Sequence, residues 1–152
     1  MFPELFPLWL FLHVMGAIVA FGFGFVAPVI ARMAAAEPEH AGFTVRAMRR
    51  ISSTIIVPAS ISMGVTGVLL VLARPGIERQ LWMAVSIALY VLALVLVFAV
   101  QRPTFARLIA ATGEGGDRSV IPALVARMKG IGYLLTLLVT VIVALMIWKP
   151  TL

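Results

Sequence analysis

Four long stretches without a formal charge set the terms on which this chain can fold. Residues 5–31, 51–73, 81–100 and 130–148 contain no Asp, Glu, Lys or Arg. Each offers about the 20 residues that a helix rising ~1.5 Å per residue needs to cross ~30 Å of hydrocarbon. Lipid supplies no partner for a free N–H or C=O, so each stretch must close its own backbone hydrogen bonds as a helix. The runs are too few and too long to be barrel strands. The expectation is an all-α protein: a polytopic, antiparallel four-transmembrane-helix bundle forming one domain over all 152 residues. The first run exceeds the minimum, so its helix tilts or projects beyond the bilayer. Composition agrees: 62% of residues are hydrophobic, whereas soluble domains are nearer half.

The connections carry the charge. The first, 32–50, holds Arg32, Arg46, Arg49 and Arg50 against Glu37 and Glu39. The second, 74–80, is short and contains the turn signal Pro75-Gly76. A link that short makes the second and third helices antiparallel neighbours. The third, 101–129, breaks at Gly113-Glu114-Gly115-Gly116-Asp117. Before the break, Phe105, Leu108 and Ile109 share a helical face, which predicts that the third helix runs on past the hydrocarbon. After it, Ser119 is the expected N-cap, with Pro122 in the first turn. Pro58 falls inside the second run and Pro28 near the end of the first, where each should bend its helix.

Lys and Arg also orient the chain. Arg102, Arg107, Arg118, Arg127 and Lys129 join the four arginines of the first connection on one side. Only Arg74, Arg79 and Lys149 lie on the other. The positive-inside rule puts the first and third connections in the cytoplasm and both termini outside, in a bacterial cytoplasmic (inner) membrane. Trp9, Trp82 and Trp148 then fall together at the outer interface. The net charge of +6 is explained by this asymmetry, so no nucleic-acid partner is expected. The lipid bilayer is the expected partner. Glu4 and the absence of a basic residue before the first run argue against a signal peptide.

Several functions are excluded or disfavoured. The chain has no Cys, which removes disulfides, iron–sulfur clusters, Cys-ligated zinc and thiol catalysis. No carboxylate lies inside a run, which disfavours ion-coupled transport. No phosphate-binding glycine loop, metalloprotease motif or serine-hydrolase elbow is present. No catalytic residue and no metal site are assigned. His40, between Glu39 and the second run, reads as a solvated loop residue.

His13 is the informative residue. It lies about eight positions into the first run, roughly 12 Å deep. A histidine there can bind haem iron, relay protons, or hydrogen-bond to a neighbouring helix. Gly16, Ala20 and Gly24 follow at helical spacing, a small-residue stripe that admits another helix or a flat cofactor. Helix direction and depth bring Met63, Ser60, Ser62, Thr66, Tyr90, Thr136 and Thr140 towards His13 as a polar centre. His13 with Met63 is a known haem ligand pair; a bis-histidine site requires a second copy or a partner.

The chain resembles a bacterial family of four-helix integral membrane proteins known only as a domain of unknown function. The resemblance rests on Phe11-Leu12-His13-Val14-Met15-Gly16-Ala17, Val57-Pro58-Ala59-Ser60 followed by Thr66-Gly67, Gln80-Leu81-Trp82, and Lys149-Pro150. It implies fold and location. More loosely, His13 and its Gly-Ala surroundings are similar to copper-resistance type membrane domains and to the small membrane protoporphyrinogen oxidase, which is associated with haem. That oxidase family also relies on a lysine in a later helix; Lys129 here lies at the inner end of the fourth run, far from His13 in depth. The leading expectation is binding of haem b, or a redox role, through His13 with Met63 or a symmetry-related His13 opposite. The alternatives are an accessory subunit of a larger membrane complex or homo-oligomer, packed through the small-residue stripe, and a small transporter or channel.

Overall fold

The computed structural model describes residues 3–74, 76 and 79–150. Four helices are long and apolar enough to cross a membrane: α1 (Phe6–Ala36), α2 (Pro38–Leu72), α3 (Leu81–Thr112) and α4 (Arg118–Trp148). No strand occurs among the described residues. All four outrun their uncharged segments. The connections expected at 32–50 and 101–129 shrink to a break at Glu37 and a turn at 113–117. Pro75 lies outside the described residues, and Gly76 takes a φ of +97°, which favours glycine.

The bundle is antiparallel. The first and last described residues, Pro3 and Pro150, and the facing ends of α2 and α3 at Leu72 and Leu81 lie at one end; the Glu37 break and the 113–117 turn lie at the opposite end. α1 packs most intimately on α2, α3 on α4, and α1 also on α4. The short link does not make α2 and α3 close neighbours along their length. They meet where Tyr90 reaches Ser60 and Gly64, and again where Ala41–Ile51 of α2 lies against Arg102–Thr112 of α3. There the buried cluster Leu108, Ala111 and Leu124 is covered by Val45, Ile121 and Val125. The expected run-on of α3 is present, with Phe105 and Leu108 buried on its inner face.

Proline shapes α2 and α3 in the same way. Pro58 lacks an N–H, and its ring would collide with the carbonyl four residues back. The chain answers with a π-helical turn at Ser52–Ile56, closed by the Val57 N–H donating to the Ser52 carbonyl. One extra residue in the turn moves the offending carbonyl aside. Ahead of Pro103, α3 repeats the device at Leu96–Gln101, where the Arg102 N–H donates to the Val97 carbonyl. In contrast, α1 remains α-helical through Pro28.

Trp9, Trp82 and Trp148 all lie near the same end of the bundle and differ in burial. Trp82 is buried inside the bundle, with its indole N–H donating to the Gln80 side-chain oxygen. Trp148 is exposed and Trp9 half-buried. The cap of α4 is Asp117 rather than Ser119: the Asp117 carboxylate accepts from the Ser119 amide (2.9 Å) and hydroxyl (2.6 Å). A carboxylate is the stronger acceptor and also answers the positive end of the helix dipole. These bonds hold the Asp117 carboxyl below its ordinary pKa. A lowered folded-state pKa means that the cap contributes fully above the ordinary value and fades as pH falls through the lowered one. Asp117→Ala is expected to raise amide exchange at Ser119 roughly fivefold at neutral pH. The natural chain should show the same loosening only on acidification, as read by pH-dependent hydrogen exchange.

Candidate functional site

Within the spans, serine and threonine mostly satisfy themselves. Ser60 donates to the Ile56 carbonyl, Ser86 to Trp82, Thr136 to Gly132 and Thr140 to Thr136. Such back-bonds to a carbonyl one turn earlier remove a hydroxyl's need for a partner on another helix. Among the described residues, only His13, Thr66 and Tyr90 take part in side-chain hydrogen bonds between helices.

His13, on α1, faces α2. Its Nδ1 lies 2.9 Å from the Met63 carbonyl and 3.4 Å from Thr66 Oγ1. A carbonyl can only accept, so in the neutral ring the proton sits on Nδ1 and Nε2 keeps its lone pair. Buried Thr66 lies 2.9 Å from the Ser62 carbonyl and 3.0 Å from that of Met63, and its hydroxyl donates back along its own helix. The ring's hydrogen bonds all run through Nδ1. Nε2 has no protein partner among the described residues, yet no buried side-chain nitrogen or oxygen there lacks one. It follows that Nε2 is not fully sealed inside the bundle.

Glycines set these distances. A Cβ on Gly67 would stand 3.1 Å from His13 Cε1, and one on Gly16 would stand 3.2 Å from Met63 Cβ and 3.3 Å from the Ala59 carbonyl. On another side of α2, the Tyr90 hydroxyl donates to the Ser60 carbonyl at 2.6 Å. Its ring rests directly on Gly64, where a Cβ would overlap the phenol oxygen.

The structure therefore gathers some of the expected polar centre and disperses the rest. His13, Met63 and Thr66 come together; Tyr90 and Ser60 form a second contact about a turn away. Ser62 contributes only its carbonyl. Thr136 faces Gly24, eleven positions along α1 from His13 and so roughly 16 Å away. Thr140 is exposed on α4. The Gly16, Ala20 and Gly24 stripe faces inward: Gly16 meets α2, Gly24 meets α4, and Ala20 is buried.

A family described as a predicted integral membrane protein, DUF2269, matches residues 7–150. The chain belongs to this family. No curated protein and no solved structure matches it. The DUF2269 match covers all four helices and therefore every residue of the His13 and Tyr90 contacts.

Gly64 and Gly67, which lie against Tyr90 and His13, are the contact positions that sequence reasoning did not single out. Ser60, Gly64 and Gly67 recur at helical spacing, a second small-residue face that could have marked where two rings dock. A methyl group on Gly64 must displace Tyr90, so Gly64→Ala should destabilise the bundle by about 1–3 kcal/mol. In a Tyr90→Ala background the same change should cost at least ~0.5 kcal/mol less, measured by unfolding in detergent as a double-mutant cycle.

Proposed function

We propose that this chain is a multi-pass protein of the bacterial cytoplasmic membrane that binds haem b through Nε2 of His13. The observation that carries the reading is the one-sided ring. Nδ1 is pinned to the Met63 carbonyl, while Nε2 has no hydrogen-bond partner among the described residues and is not fully sealed inside the bundle. Anchoring Nδ1–H on a carbonyl is how metal-ligating histidines fix their tautomer and aim the other nitrogen. An unsatisfied ring nitrogen in hydrocarbon is costly, so a ligand for it has a physical reason to be there.

The protein's contribution is placement. Gly67 lets the ring lie flat against α2, and Met63 and Thr66 fix its rotation. Haem supplies electron transfer or activation chemistry when bound. A second residue to hold the haem would come more readily from another chain than from Met63. Met63 engages the Nδ1 edge of the ring with its carbonyl, and its side chain begins against Gly16. His13 of a second copy is the simplest partner, giving a bis-histidine arrangement between two bundles. The inward-facing glycine stripe supplies no such interface, so association would run through the His13 face. The Lys and Arg distribution supports an orientation with the Glu37 and 113–117 end in the cytoplasm and both termini outside.

The test is a visible spectrum of protein purified gently from cells supplied with haem, oxidised and then reduced with dithionite. A Soret band that shifts on reduction is expected, at about one haem for every two chains. His13→Ala should lower haem content at least tenfold, an effect of ~1.4 kcal/mol or more, while Met63→Ala keeps it. Loss of haem in Met63→Ala would move the second ligand back into the same chain. A colourless natural protein overturns the reading. The open Nε2 then belongs to a subunit contact, which His13→Ala would break on a native gel.

A further inference from the structure

We propose that the cleft between α3 and α4 at the end opposite the termini binds a phosphate group, that of an anionic phospholipid. The cleft is distinct from the His13 site and the argument for it is independent. It has a volume of 200 Å³ and is lined by Ala99, Pro103, Thr104, Arg107 and Arg127.

Its origin lies in the backbone of α3. Ala99 belongs to the π-helical turn Leu96–Gln101, and Pro103 follows it. The widened turn and the proline ring set the course of α3 along one wall of the cleft. The polarity of the cleft is graded. Ala99 lies in the uncharged segment of α3, whereas Arg107 and Arg127 lie beyond the ends of the uncharged segments of α3 and α4. An apolar floor on the hydrocarbon side and a cationic rim on the water side match a phospholipid, acyl chain below and phosphate above. Basic pockets between membrane helices take anionic head groups for this reason.

The lining also selects charge. Thr104 is buried with its hydroxyl spent on the Val100 carbonyl at 2.6 Å, so polar recognition falls to the two guanidinium groups. No carboxylate lines the cleft. Neither arginine forms an ion pair among the described residues. Arg107 also borders a neighbouring cleft with Asp117, whose carboxylate is engaged by Ser119. Two uncompensated guanidinium groups on one rim suit a phosphate, whose oxygens accept their paired N–H donors. A free phosphate ion shares that chemistry but gains nothing from the apolar floor.

The experiment uses the full chain in a neutral detergent, with native mass spectrometry after titration with phosphatidylglycerol, phosphatidylcholine or inorganic phosphate. Phosphatidylglycerol should be retained in preference to phosphatidylcholine, whose own quaternary ammonium opposes the arginines. Arg107→Gln with Arg127→Gln should weaken retention by about tenfold or more. Arg107→Lys with Arg127→Lys should restore part of it. Arg49→Gln with Arg50→Gln removes two charges at the same end, outside the cleft, and should leave retention unchanged. Equal retention of the two lipids overturns the proposal. So does an equal loss in the Arg49/Arg50 variant, which would reveal general charge attraction. Phosphate bound without lipid preference would overturn the lipid source and assign the cleft to the free ion. All four arginines are exposed, and circular dichroism checks that each variant keeps its helices.

Discussion

Hydrocarbon accepts and donates no hydrogen bonds, so a polar group inside the spans is costly unless it finds a partner in the protein or in a bound ligand. Most do so locally. Hydroxyls on α2, α3 and α4 fold back onto carbonyls a turn earlier, while α1 carries no Ser or Thr, and the helix surfaces then present methyl and methylene groups to lipid. Imidazole and phenol cannot do this, because their polar atoms stand too far from their own backbone. His13 and Tyr90 must reach another helix, and both reach α2. One helix therefore serves as the acceptor for the inter-helix side-chain hydrogen bonds among the described residues.

That role dictates the sequence of α2. A ring can bond to a helix carbonyl only if it can come close to the helix axis, and a side chain at the contact would hold it off. Gly67 lies under His13 and Gly64 under Tyr90. Dispersion across such a contact adds to the hydrogen bond, since packing rather than the hydrophobic effect drives helix association in lipid. Gly16 does the same for the α1–α2 crossing, where a Cβ would crowd Met63 and the Ala59 carbonyl. Small residues and polar rings are thus two halves of one device. The glycine stripe of α1, which as sequence invites a partner protein, is occupied by the chain's own helices.

Charge patterning made the four spans and their order legible, because the physics of the bilayer acts on segment averages. His13 stood out for the same reason: a lone ionisable group at depth is rare enough to be noticed. What stayed hidden depends on individual geometry. Ser62, Thr136 and Thr140 were expected around His13 by depth alone, but depth does not fix which face of a helix a residue takes: Ser62 and Thr140 are exposed and Thr136 faces Gly24. Asp117 outcompeted Ser119 as a cap through its charge, a contest that position alone does not decide. Trp82 lies at the expected end of its helix but is buried there, with its indole N–H donating to Gln80. Pro58 signalled a distortion, yet whether a helix kinks or widens depends on what it must still touch further along.

What α2 must still touch is α3. Ala41–Ile51 of α2 packs on Arg102–Thr112 of α3 at the end opposite the termini. Nearer the termini Tyr90 of α3 reaches Ser60 and Gly64 of α2. The π-helical turns at Ser52–Ile56 and Leu96–Gln101 lie between these contacts, roughly two turns from the Tyr90–Ser60 bond on each helix. The segments beyond the two turns lie side by side, and Val45 of α2 covers the cluster of Leu108, Ala111 and Leu124 there. A π-helical turn ahead of each proline relieves the carbonyl collision without ending the helix, so both helices run on to that contact. Pro58 and Pro103 are accommodated by the same device at similar depth, and Ala99 of the second turn lines the cleft between Arg107 and Arg127.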